Sequence, residues 1–159
     1  MQVFFLDRDP DTAASYHCDK HVVKQVLESA QLLSTAHRIL DNSDVGYKAT
    51  HRNHPCAVWA RTNRENYLWL YNLFRALCAE YTQRYGRIHA TERKLMVALS
   101  HFPKNLPIGN ATEPPQAMLE EFRRPDPVEG YRNYYILAKK DICKWNHSTM
   151  PPWWPNNQM

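Results

Sequence analysis

Two long stretches of three-and-four spacing restrict this chain to helical folds. Between Pro10 and about Leu40, Val22, Val26, Ala30 and Leu33, flanked by Val23 and Leu27, recur with the period of one helix face. A second run goes from Pro55 to Tyr85 through Trp59, Asn66, Leu70, Phe74, Leu77 and Tyr81, and Gly86 stands just beyond it as a C-terminal stop. Asp9-Pro10 supplies a cap and then a proline at the first helical position. Residues 2–6 read as a short extended segment, and Asp41-Asn42-Ser43-Asp44-Val45-Gly46 as a loop. Thr91-Glu92 opens a shorter helix that finishes by Ser100. Asp126-Pro127-Val128-Glu129 is a capping box at the head of a helix reaching about Trp145. Residues 102–115, with four prolines, form an irregular connection, and 146–159 form a tail in which Pro151-Pro152-Trp153-Trp154-Pro155 cannot be helical. The expected class is all-α: a single compact domain over 1–159 with two long helices, shorter ones and a Pro/Trp-rich irregular C-terminal tail.

Composition narrows the setting. Apolar residues make up 43% and charged residues 23%, which excludes wholesale disorder. No stretch approaches the roughly 20 apolar residues of a membrane span. The apolar start Val3-Phe4-Phe5-Leu6 meets acid at Asp7 and is no secretory signal. Cys18, Cys56, Cys78 and Cys143 are widely spaced, as reduced thiols of a cytoplasmic protein would be. A monomer without a membrane partner is expected. The net charge is +4, and the surplus sits in residues 41–100, where nine bases face five acids. An Arg-biased field suits a phosphate-bearing partner, because arginine pairs with phosphate bidentately.

On an unbroken first helix, His17, His21, Lys24, Glu28, Gln31 and Thr35 fall within about 40° of one line, opposite the apolar face. One reading makes this the solvent side, with Lys24 and Glu28 an ordinary i,i+4 pair. The other makes it an acid/base site, because histidines and a carboxylate share one stripe. His17 and Glu28 would be about 16 Å apart along the axis, so only His21, Lys24 and Glu28 can border one pocket. His17 and His21 are also spaced to hold a metal, and His51-Arg52-Asn53-His54-Pro55-Cys56 offers a second set of ligand types. Neither set has paired cysteines, and Cys18 points away from the two histidines on such a helix. No metal and no other cofactor is expected.

The string Asp19-Lys20-His21-Val22-Val23-Lys24-Gln25-Val26-Leu27-Glu28 resembles the catalytic helix of the pyrimidine-dimer DNA glycosylases, the phage-type endonuclease V family. That helix also carries an acid, a histidine two residues on, and a glutamate seven after the histidine. Gly46-Tyr47-Lys48, His54-Pro55, Trp59, Glu80-Tyr81 and Arg84-Tyr85 extend the resemblance over about residues 12–90. Phage proteins sharing His17-Cys18-Asp19-Lys20-His21 stand closer still. The resemblance implies an all-α fold that binds duplex DNA, flips out a damaged or modified pyrimidine and cleaves its N-glycosidic bond. Glu28 takes the place of the family's glutamate and His21 that of its histidine. The family's nucleophile is an α-amine, which forms an imine with the sugar before strand scission by β-elimination.

Physical chemistry agrees with those residue types. Losing a base leaves positive charge on the deoxyribose, which a fixed carboxylate steadies. An α-amine, titrating near 7.7–8.0 in general, is partly unprotonated at neutral pH, whereas a lysine needs its pKa lowered. Gln2 is too large for removal of the initiator methionine, so the amine would be that of Met1. Lys20 or Lys24 could replace it, or no imine forms and AP-lyase activity is absent. Arg52, Arg61 and Arg64, with Lys20 and His54, are the candidate DNA contacts. Tyr131, Tyr134, Tyr135, Trp153 and Trp154 could line the gap of a flipped base, or simply pack as core. Two alternatives stay open: an enzyme of this fold acting on a nucleotide or hypermodified base, and a non-enzymatic DNA- or protein-binding module.

Overall fold

The computed structural model describes residues 1–155; the last four positions of the expected 146–159 tail lie outside the described residues. It is all-α: six helices, one short 3-10 turn at Glu120–Phe122, and no strand among the described residues. The helices are α1 (Pro10–Tyr16), α2 (Asp19–Asp41), α3 (Pro55–Ala60), α4 (Arg64–Tyr85), α5 (Ala90–Leu99) and α6 (Pro127–Ala138). α2 packs along α4 and also meets α3 and α5, while α1 packs on α4.

Each long helix expected from periodicity is two helices. Asp9 caps α1 by accepting the Thr12 N–H, with Pro10 in the first turn, and the helix stops at His17. His17 and Cys18 are extended, and α2 begins afresh at Asp19. Arg84 of α4 explains why the break is stable. Its buried guanidinium donates to the carbonyls of Ser15 and His17, which the end of α1 leaves unpaired, and to Asp19 Oδ1. Asn63 divides the second run. It caps α4 through the Asn66 N–H, and its amide donates to Asn110 O in the connection.

α6 ends at Ala138, seven residues before the expected Trp145. Residues 139–145 turn instead. That carries Cys143 into the interior, lets Lys144 O accept from the Asp19 N–H, and lets Trp145 Nε1 donate to Tyr16 O.

The main core lies between α1, α2, α4, α3 and α5 and takes in Val3. A second, aromatic cluster gathers Phe4, Phe5 and Leu6 with Met118, Val128, Tyr131, Tyr135 and Cys143. Residues 2–6 form no strand; Val3, Phe4, Phe5 and Leu6 are a buried strip serving both cores, which fixes the position of the chain's first residues.

Candidate active site

Glu28 sits mid-way along α2, only 7% exposed. Val3 in the main core and a hydrogen bond from Gln2 Nε2 to Ala117 O hold the first residues alongside it. The Gln2 N–H donates to Glu28 Oε1 at 3.0 Å, and the Met1 α-ammonium lies 3.6 Å from the same oxygen. Lys24 Nζ stands 3.5 Å from Oε2. A buried carboxylate is thus flanked by an N–H and two cations, which offset its desolvation. The Met1 side chain is only 3% exposed while the residue as a whole is half-buried, so its accessible part is the backbone end that bears the amine.

The reading of the polar stripe as a solvent face is overturned. Of its members only Lys24 is exposed; His21, Glu28 and Thr35 are buried and Gln31 half-buried. Thr35 exchanges hydrogen bonds with the backbone of Thr50, so the loop after α2 covers that side of the helix.

His54 borders the site. Its Nδ1 accepts the Cys56 N–H and caps α3, so the ring is neutral. Burial, then the charges of the Met1 ammonium and His51, push its pKa below the usual histidine range, with Glu28 opposing them. Burial pushes the Cys56 thiol up to about 11, which leaves it protonated and no nucleophile. Gln2 is the neighbour that sequence reasoning missed. Its role comes from a backbone N–H, which any residue but proline would offer at that position.

His21 is not drawn into this group. Its Nδ1 is 2.7 Å from Tyr135 Oη and its ring stacks on Phe4 at 4.5 Å. The expectation that Cys18 diverges from the histidines is also corrected. The helix break sends His17 to the Ala13 carbonyl at 2.7 Å and brings Cys18 beside His21 and Cys143. The neighbouring Cys143 is the largest influence on the Cys18 thiol and pulls it down, while Cys18 in turn pushes the Cys143 thiol up.

The expected DNA contacts differ in exposure. Arg52 is exposed and borders a cavity of about 550 Å³ with Arg38, Ile39, Asn42, Ser43 and Ala49. Arg61 is half-buried, and burial, with Arg52 second, pushes its guanidinium pKa down. Arg64 opens α4 with its guanidinium 5.4 Å from the Phe102 ring. Buried nitrogens of Arg61 (Nη1) and Arg64 (Nε) have no hydrogen-bond partner. Lys20 is exposed near the start of α2, about 27 Å along the axis from Arg38.

Tyr131 and Tyr135 are fully buried, and the Tyr131 hydroxyl donates to Pro115 O. A ring with no exposure cannot meet a flipped base unless the core opens, so these two act as core. Tyr134, Trp153 and Trp154 are half-buried around them, with Trp153 packed on Tyr16, Tyr135 and Trp154.

A family model described as pyrimidine dimer DNA glycosylase matches residues 1–93, more than half of the chain. No curated protein and no solved structure matches it.

Proposed function

The chain belongs to the pyrimidine dimer DNA glycosylase family, and on that premise we propose that it removes a damaged or modified pyrimidine from duplex DNA, with Glu28 and the α-amine of Met1 as its chemical centre. The observation that carries the reading is the placement of a buried carboxylate 3.6 Å from that amine. Both groups, and Lys24, His54, Arg52, Arg61 and Arg64, fall inside the matched segment.

The target nucleotide leaves the stack, and its sugar C1′ comes against the amine. The amine's lone pair forms the new C–N bond as the N-glycosidic bond breaks, and the base departs with the bonding electrons and takes up a proton. Glu28 faces the positive charge that develops on the sugar, where a fixed carboxylate in a water-poor site is worth far more than in bulk water. It also lies where it can take the proton the amine sheds. Loss of that proton gives a neutral aminoglycoside. Its nitrogen lone pair then forms the C=N bond as the C1′–O4′ bond breaks and O4′ takes up a proton. Removal of a C2′ proton from this imine expels the 3′ phosphate by β-elimination, which cuts the strand. Arg52, Arg61 and Arg64 contact phosphates, which arginine pairs with bidentately.

UV-irradiated supercoiled plasmid tests this reading. The wild type nicks it and spares undamaged plasmid, and Glu28→Gln lowers the rate by about 10²-fold or more, the loss expected for a transition-state electrostatic group. Borohydride added during turnover traps a protein–DNA adduct whose peptide map ends at Met1. Irradiated DNA left whole by folded wild type would remove the glycosylase assignment. Base release without an adduct would keep it and remove the imine.

A further inference from the structure

We propose that Cys18, His21 and Cys143 form a binding site for one transition-metal ion of the zinc class, which ties the C-terminal segment to the α1–α2 junction. The ligand atoms of these three residues all lie within 4.8 Å of one another, and all three residues are buried. Around a tetrahedral zinc with bonds of about 2.3 Å to sulfur and 2.0–2.1 Å to nitrogen, such atoms would be roughly 3.6–3.8 Å apart. The cluster therefore needs to contract by no more than about 1.2 Å.

The local sequence fits the geometry. Cys18-Asp19-Lys20-His21 spans one turn at the head of α2, so the extended Cys18 and the helical His21 converge. Cys143 arrives from the turn after α6. Groups outside the trio hold the imidazole as supporting residues hold metal-bound histidines: Tyr135 Oη is 2.7 Å from Nδ1, and Phe4 stacks on the ring.

Ligand softness selects the ion. Two thiolates and an imidazole suit zinc and its neighbours, and not magnesium or calcium, which take oxygen. Two thiolates also neutralise a divalent ion, so the loaded site buries no net charge. The trio leaves one tetrahedral corner for water. The ion takes no part in the chemistry at Glu28. It fastens Cys143, which lies beyond the matched residues 1–93, to the junction that Arg84 holds from the other side.

Elemental analysis of the full chain, purified without a histidine tag, tests the site, together with reconstitution by Zn²⁺ and then Co²⁺. We expect one equivalent of metal per chain and, with cobalt, a thiolate-to-metal charge-transfer band of an intensity that fits two sulfurs. Cys143→Ser should lose the metal and the band while helical circular dichroism persists. Cys56→Ser and Cys78→Ser, each altering a buried cysteine outside the cluster, should keep both. If Cys143→Ser does not fold, the two-sulfur band of wild type decides alone. Wild type that takes up no metal overturns the proposal, whether its mass shows free thiols or the loss of two hydrogens to a Cys18–Cys143 disulfide. Metal retained by a folded Cys143→Ser overturns it too.

Discussion

Beside Glu28, His54 does two jobs that depend on the same lone pair. Its Nδ1 accepts the Cys56 N–H and so starts α3, and the neutral ring adds no further cation next to Met1. Protonation turns that acceptor into a donor and removes the cap. The folded-state pKa lies below the usual value of 6.5, so the unfolded chain takes up the proton first. The contribution to stability is then complete above about pH 6.5 and drains away as pH falls through the window beneath it. Because the ring is only half-buried, the effect is modest. Urea titrations at pH 7.5 and 5.5 should show wild type losing more than His54→Asn, which keeps a capping side chain without a titration. His54→Ala should cost about 1 kcal/mol at pH 7.5. Equal pH slopes for wild type and His54→Asn would exclude the ring from this role. Glu28 was legible in the sequence because its distance from His21 matches a helix of known chemistry. The α-amine as its partner was legible only through the family, since nothing in the order of residues says that Val3 enters the core and carries Met1 to α2.

Spacing located the helical segments but read through both of their internal stops. A period of three and four survives a two-residue break when the helices on either side bury their apolar faces in the same core, as α1 and α2 do against α4. The signals that end a helix were present as single residues: Asn63, and the extended pair His17-Cys18. Arg84 makes the break at His17-Cys18 permanent, and it lies 65 positions from Asp19. Such a contact is invisible to any local window. It sets up a measurable loss. Arg84→Met would leave Asp19, 8% exposed, without its guanidinium and would strand the carbonyls of Ser15 and His17. Breaking a buried pair from one side costs about 3–5 kcal/mol, so the urea midpoint should drop sharply. Glu80→Gln, which removes Arg84's other carboxylate partner, leaves the Asp19 pair intact and should cost much less. Similar losses for the two variants would show that Arg84 does not hold the junction.

Basic residues are spread over the molecule, and duplex DNA is long enough to use them that way. Lys20 near one end of α2 and Arg38 near the other are about 27 Å apart, close to eight phosphates along one strand. Glu28 lies between them, so a duplex running along α2 would pass the candidate catalytic pair with contacts on either side. The charge count pointed to the middle third of the chain, and the fold distributes those arginines: Arg52 stands in the open beside the Arg38 cavity, while Arg61 and Arg64 are partly withdrawn. Exposure predicts how each behaves. An exposed arginine that binds phosphate releases counterions, and its loss removes about one unit from the slope of log affinity against log salt without regard to DNA sequence. Anisotropy titrations of a labelled duplex should therefore show a steep slope for wild type, lowered by about one in Arg52→Ala and equally so on damaged and undamaged DNA. Arg61→Ala should lower the slope by less than Arg52→Ala, because a half-buried guanidinium neutralises a phosphate less fully and so releases fewer of the cations condensed on the DNA. A wild-type affinity that does not change with salt would mean that the arginines answer to the fold rather than to DNA.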